Sequence, residues 1–251
     1  MPKLMAIVQA GSPHLPIGRR SLVYSASMSW TLYRHFKGNP YLGITTALHS
    51  ESREPHVVYR CLYQNDLGHN WIRPQSMFEG TSTGGERRFA PIARMRVVQP
   101  EEVATVLAFA FDAWGRGRDL ATFIEGYNDN PNHVRGTRYL LENLDGAIVC
   151  NLNTLRFRRG LMGIASVATA PEHRRQGWAS LLVRAVMELH RFQEEVPLRF
   201  LLFSEVDPKI YRACGFAELP EGNQHFKPSI AMATGELPLS DEESSFLTRY
   251  F

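Results

Sequence analysis

The chain has 251 residues, 44% of them hydrophobic and 21% charged, which excludes a wholly disordered, collagenous or highly charged protein. Its length exceeds a common single domain of roughly 100–150 residues, so two domains are expected. The formal net charge of +3 is too small to imply general affinity for nucleic acid or acidic membrane, so such binding would need a local patch.

The start, Met1 to Gln9, holds an apolar run shorter than a secretory core, and no stretch of about 20 apolar residues follows anywhere. A cytoplasmic protein is expected. Residues 1–29, with Gly11, Pro13, Pro16 and Gly18, read as an arm. From 30 to 79, aromatic and β-branched runs at Tyr41 to Leu48, Val57 to Tyr63 and Trp71 to Arg73 alternate with turn residues, which predicts a small antiparallel β domain. Residues 80–88, with Gly80, Gly84 and Gly85, are small and polar and read as a linker.

The second domain is expected over 89–238. It opens with a strand at Ala93 to Val98. Pro100-Glu101-Glu102 then starts a helix, and Val103, Val106, Leu107, Ala110, Phe111 and Trp114 recur at the spacing of one helical face. A second helix is predicted over Asp119 to Tyr127, ending in the Asn128 to Asn132 segment. Strands at Thr137 to Asn143, Ala147 to Arg156 and Leu161 to Thr169 make an antiparallel meander, and Leu181, Leu182, Ala185, Val186, Leu189 and Phe192 mark the face of another helix. A strand at Leu198 to Phe203, a short helix from Pro208 to Cys214 stopped by Gly215, and a strand at Ile230 to Thr234 complete the domain. The tail, 239–251, shows no clear partner.

Between the third meander strand and its helix lies Pro171-Glu172-His173-Arg174-Arg175-Gln176-Gly177-Trp178-Ala179. The first amides of a helix lack internal partners and lie at the positive end of its dipole, so they can hold a phosphate. Gly177 allows close backbone approach, and Arg174 and Arg175 add charge suited to a multiply anionic ligand. Nine histidines include no His-Glu-x-x-His pattern, and Cys61, Cys150 and Cys214 stand far apart and odd in number. No metal site or disulfide framework is read, and a reducing compartment fits.

The run Arg174-x-x-Gly177-x-Ala179 after a strand resembles the Q/R-x-x-G-x-G/A motif of the GNAT superfamily of acyl-CoA N-acyltransferases. Tyr211-Arg212-Ala213-Cys214-Gly215-Phe216 is similar to the family's later Y-x-x-x-G-F segment. The resemblance implies an α+β fold, a mixed, mainly antiparallel twisted sheet flanked by helices, here preceded by the small all-β domain. It also implies transfer of an acetyl or other short acyl group from acetyl-CoA to a primary amine. By the same resemblance, amides from Arg175 through Gln176, Gly177 and Trp178 to Ala179 hold the pyrophosphate, and Ser166, Val167 and Ala168 line the pantetheine arm.

Tyr211 then stands where an acid is needed, since a phenol with a pKa near 10 is protonated at neutral pH and can donate to a leaving thiolate. The chain departs from many relatives in Leu161 to Ser166, which carries no carboxylate. Glu205, Asp207, Glu142 or a water held by Ser166 are left as base, and Glu205 is the candidate carried forward. The 128–133 loop resembles in location the superfamily's acceptor-side segment, which varies with substrate.

Tyr33-Arg34-His35-Phe36-Lys37-Gly38, His49-Ser50-Glu51-Ser52, Val57-Val58-Tyr59-Arg60 and Trp71-Ile72-Arg73-Pro74 resemble a short bacterial domain family of unknown function, departing at Ser52, where threonine is usual. Its aromatics, interleaved with Arg34, Lys37, Arg60 and Arg73, form either a core or a stacking face for nucleic acid or a peptide. On the second reading the chain is a non-catalytic CoA-sensing or binding protein. Contacts such as Arg60 with Glu51 are the structural alternative.

Overall fold

A computed structural model of the chain describes residues 28–128, 130–131 and 135–251. The expected arm lies outside these up to residue 27, and of the 128–133 loop residues 129, 132 and 133 do. Among the described residues no helix is long and apolar enough to cross a membrane.

The strands are β1 (Ser29–His35), β2 (Pro40–Leu48), β3 (Pro55–Cys61), β4 (Asn70–Pro74), β5 (Phe89–Val97), β6 (Thr137–Glu142), β7 (Ile148–Arg158), β8 (Leu161–Thr169), β9 (Arg199–Ser204), β10 (Phe216–Glu218) and β11 (Ile230–Thr234). All belong to one sheet of order β10-β11-β9-β8-β7-β6-β5-β1-β2-β3-β4. Every pairing is antiparallel except β8 with β9. The N-terminal meander and the larger α+β region are thus one surface, joined where β1 pairs β5 from Ser29↔Arg96 to His35↔Phe89.

Residues 80–88, expected as a linker, close a turn between the two. Thr81 bridges Arg87, and the Arg88 amide donates to the Gly80 carbonyl at 2.8 Å. The aromatics of the meander fill its interior: Tyr59, Phe78 and Phe89 are buried, with Tyr33, Tyr41 and Trp71 packed on them. This is the core reading of those residues, while Phe36 stays exposed with Lys37 and Arg88 over its ring.

Helices α1 (Gln75–Glu79), α2 (Val103–Ala108), α3 (Phe111–Trp114), α4 (Leu120–Asn128), α5 (Trp178–Gln193), α6 (Lys209–Arg212) and α7 (Asp241–Ser245) complete the fold. α5 drives Leu182, Val186 and Leu189 into one face of the sheet, against Leu42, Met95, Tyr139 and Leu152. Burying side chains of this size contributes about 1.5–3 kcal/mol each, so this face supplies most of the core. On the opposite face Val106 of α2 meets Val98 and Leu140, and Phe123 of α4 meets Ala168. The tail, for which no partner is legible, covers the rest of that face. Leu247, Phe246 and Phe251 pack on Leu161, Leu201 and Phe157, and α7 is opened by a capping box between Ser240 and Glu243.

The single helix expected from Val103 to Trp114 is broken at Phe109 and Ala110. In a continuous helix the carbonyls of Val106 and Phe109 would accept from Ala110 and Ala113. Instead Ala110 donates to Leu107 and Ala113 to Ala110. The released carbonyls accept from Asn151 Nδ2 at 2.9 Å and Arg174 Nη2 at 2.9 Å. Two side chains distant in sequence therefore end α2 and restart the chain as α3.

Arg60, in β3, also finds another partner than Glu51. It is 6% exposed and donates from Nε (2.9 Å) and Nη2 (2.5 Å) to Glu188 Oε2 of α5, itself 4% exposed. This ion pair ties the meander to the helix that packs the other region.

Candidate active site

β8 passes into α5 through Ala170, a 3-10 turn at Pro171–His173 and the basic loop. Arg175 (φ 63°) and Gly177 (φ 85°) both lie in the left-handed region, on either side of Gln176. Backbone wound this way turns successive N–H groups toward one concavity, a geometry that suits an anion. Among the described residues no side chain caps the N-terminus of α5, and a Cβ built on Gly177 would meet nothing within 4 Å. The space ahead of the helix is open, and φ rather than crowding asks for glycine.

The two arginines of the loop divide their work. Arg174 turns inward, donating to Thr169 O at 3.2 Å and Phe109 O at 2.9 Å and pairing with Asp112 at 2.5 and 2.8 Å. The Arg174 guanidinium holds the Asp112 carboxyl below the usual carboxylate range. Its charge is neutralised internally, so Arg174 fixes the loop against α3 instead of adding charge for a ligand as its sequence position suggests. Arg175 is exposed at the mouth. Gln176 Nε2 donates to Glu172 O at 3.3 Å and Gln176 Oε1 accepts from Trp178 Nε1 at 3.2 Å, bracing the turn.

Beside this turn the sheet opens. β8 and β9 pair only at Leu161↔Arg199, Met162↔Phe200 and Gly163↔Leu201. Beyond Gly163, β8 runs on to Thr169 without β9 alongside, while β9 continues against β11. Within the open stretch β8 bulges: Ala165 faces Asn153 and Ala168 faces Asn151, so Ser166 and Val167 together oppose Leu152. Ser166 takes φ 51° at the bulge. A bulge of this kind re-aims main-chain groups away from the ladder. Ser166, Val167 and Ala168 therefore line the split that ends at the helix N-terminus.

Tyr211 lies on α6, buried and packed edge-on to Phe216 with ring centroids 6.1 Å apart. Burial pushes its phenol well above the ordinary range, so it stays protonated at neutral pH. Cys214 Sγ lies 3.7 Å from Ser180 O, which keeps the α6 segment beside α5. Glu205 follows β9 and is exposed, and its carboxylate accepts from Trp114 Nε1 at 2.5 Å and from the Tyr250 hydroxyl at 2.5 Å. The other two carboxylates considered as base are committed elsewhere. Glu142 is buried between Arg94 (2.8 Å) and Arg96 (2.5 Å), and Asp207 caps the Lys209 amide at 2.9 Å.

On the α2–α4 face a crevice reaches the same bulge, lined by Val106, Ala110, Trp114, Tyr127, Arg138 and Ser166, among others. Tyr127 is hydrogen-bonded to Ser166, and burial raises its phenol above the usual value.

Residues 99–218 match the family model described as Acetyltransferase (GNAT) family, and residues 31–91 match that of a Protein of unknown function (DUF1653). Residues 99–218 belong to the GNAT acetyltransferase family. The GNAT segment runs from Gln99 to Glu218 and so carries the bulge, the basic turn, Glu205 and Tyr211, leaving only Tyr250 outside. It is an acyl-CoA-dependent N-acetyltransferase domain. β5 joins the two matched segments, pairing β1 on one side and β6 on the other.

No curated protein matches the chain. Among solved structures, a chimera of the Vibrio cholerae spermidine N-acetyltransferase is 16% identical, with 62% of this chain and 99% of that chain covered at a TM-score of 0.45. The dodecameric spermidine N-acetyltransferase from Vibrio cholerae is 16% identical, covering 56% and 92% at a TM-score of 0.43. AAC(6')-Ib in complex with parmomycin and acetyl-CoA is 18% identical, covering 56% and 91% at 0.43.

Trp114, Tyr127, Arg138 and Tyr250 are the site residues that sequence reasoning passes over. Trp114 and Tyr127 fall on apolar helix faces and read as core. Tyr250 belongs to a tail with no visible periodicity, and no signal in the GNAT domain's motifs points to it.

Proposed function

We propose that the protein transfers an acetyl group from acetyl-CoA to a primary amine by direct attack within a ternary complex. The observation that carries this reading is the parting of β8 from β9 beside a helix N-terminus that no side chain caps. The amides from Arg175 to Ala179 hold the diphosphate, with Arg175 adding charge, and Ser166 to Ala168 offer main-chain groups to the pantetheine arm. An arm laid along the split places the thioester near the bulge. There the amine nitrogen attacks the thioester carbon and forms a tetrahedral intermediate. As the C–S bond breaks, Tyr211 gives its proton to sulfur, and Glu205 accepts the proton lost by the attacking nitrogen, directly or through a water. Two hydrogen bonds leave lone pairs on the Glu205 carboxylate for this task. Holding donor and amine together supplies much of the acceleration, because a bimolecular encounter becomes an internal one.

Glu205→Gln checks the base. The expected result is a kcat/KM lower by about 10²-fold near neutral pH. The deficit should shrink as pH rises toward the pKa of the amine, where deprotonation no longer needs help. Release of CoA thiol and the mass of the acetylated amine give the rates. An unchanged rate and pH profile would assign proton removal to another group.

A further inference from the structure

We infer that the acceptor is an amine that also carries a carboxylate, an amino acid or short peptide, and that Arg138 in the acceptor crevice receives that carboxylate. This deepens the reading under Proposed function and rests on it.

Arg138 of β6 lines the crevice with Trp114, Tyr127 and Ser166. A guanidinium carries five N–H donors. Among the described residues its one hydrogen bond is from Nη1 to Asn151 Oδ1 at 2.9 Å, and no carboxylate lies within salt-bridge distance. Burial lowers its pKa to about 10, so it is still a cation at neutral pH. Directly across the ladder, Asn153 pairs in register with Arg138 and is fully buried, and among the described residues neither its amide oxygen nor its nitrogen has a partner. An unsatisfied buried amide therefore lies beside a guanidinium that uses one of its donors within the protein.

On the adjacent strand, by contrast, the arginines are paired with carboxylates. Arg94 and Arg96 of β5 share Glu142, and Arg96 also meets Glu102 at 2.6 Å. A carboxylate entering the crevice would accept from the guanidinium in the bidentate geometry that such pairs favour. Glu205, reached through Trp114, supplies the opposite charge for the ammonium end, and the Tyr127 phenol feels both Arg138 and Glu205. An acceptor with an amine and a carboxylate matches this polarity, whereas a polyamine offers nothing to Arg138 and is repelled by it.

The test uses the full chain with acetyl-CoA and paired acceptors differing only in the carboxylate: alanylalanine and lysine against their C-terminal amides, with spermidine alongside. The expected result is a kcat/KM about 100-fold higher for the carboxylates, consistent with a charge-assisted bidentate contact. Arg138→Gln should raise KM for alanylalanine by a similar factor, leave kcat nearly unchanged and leave the amides unaffected, and Arg138→Lys should restore part of the loss. Amides or spermidine turning over as well as the carboxylates would overturn the inference while the transferase reading stands. So would an Arg138→Gln loss shared equally by both series, which would place the guanidinium on the thioester oxygen. Calorimetric titration with N-acetylalanine, compared with its amide, reads the same site without turnover. Binding lost in Arg138→Gln supports the inference, and equal binding of acid and amide contradicts it. Failure of acetyl-CoA itself to bind would strike the transferase reading instead, and the N-acetylalanine titration would then decide the inference alone.

Discussion

Replacing Tyr211 by phenylalanine should lower kcat by about 10²–10⁴-fold, the range for loss of a positioned general acid, while changing acetyl-CoA affinity little. The ring stays in place beside Phe216, so packing is kept and only the hydroxyl goes. Burial holds that hydroxyl protonated well past neutral pH, so the proton is present as charge develops on sulfur, although the same shift makes the phenol a weaker acid. A loss confined to KM would mean that the hydroxyl binds instead of donating. Steady-state rates with a saturating amine, together with calorimetric affinity for acetyl-CoA, separate the two.

The second large effect is on stability. Glu188→Ala should destabilise the protein by about 3–5 kcal/mol, because it strands the Arg60 guanidinium in a site where it is 6% exposed. The same substitution removes the partner of Arg191, at 2.6 Å from Glu188 Oε1. Chemical denaturation should show the loss as an earlier midpoint in a single transition, since the β1–β5 ladder and this ion pair join the two halves. Arg60→Met with Glu188→Leu should recover most of the deficit, because an apolar pair of similar volume leaves no buried charge unpaired. If Glu188→Ala unfolds in two steps, with the larger α+β region unaffected, the halves are held together by something else.

What could be read from sequence follows from how local each feature is. The passage from β8 through the basic turn into α5 is legible because a strand, a left-handed glycine and an amphipathic helix are each written within a few residues. Tyr211 and Gly215 are legible for the same reason. The opening between β8 and β9 is not, since register depends on two segments that meet only in the folded sheet. Arg174 looks like a ligand-binding cation until Asp112 and the Phe109 carbonyl are brought to it across the fold. The same contact, with Asn151, explains why an unbroken helical period from Val103 to Trp114 yields two helices.

Partners far apart along the chain account for the other differences. Arg60 and Glu188 are separated by 128 positions, and no spacing rule relates them. The continuity of one sheet through β1 and β5 is hidden because the glycine-rich stretch at 80–88 is the signature of a tight turn as much as of a linker. The tail combines both cases. Its capping box, Ser240 to Glu243, is a local signal that was available to sequence reasoning, but the Tyr250 contact with Glu205 and the seating of Phe251 on Phe157 and Phe203 are long-range.

If the open N-terminus of α5 grips the diphosphate of acetyl-CoA, calorimetric titration of acetyl-CoA into three proteins will show it. The native chain should bind. Gly177→Ala should bind more weakly by roughly tenfold, because a residue with a Cβ relaxes the free turn out of the left-handed conformation, by about 1–2 kcal/mol, and binding must restore it. Gly177→Glu should show no binding, since it adds a carboxylate where two phosphates must sit, while its circular dichroism stays native. Equal affinity for the native and Gly177→Glu proteins, or no heat with any of the three, would mean that this turn does not hold the diphosphate.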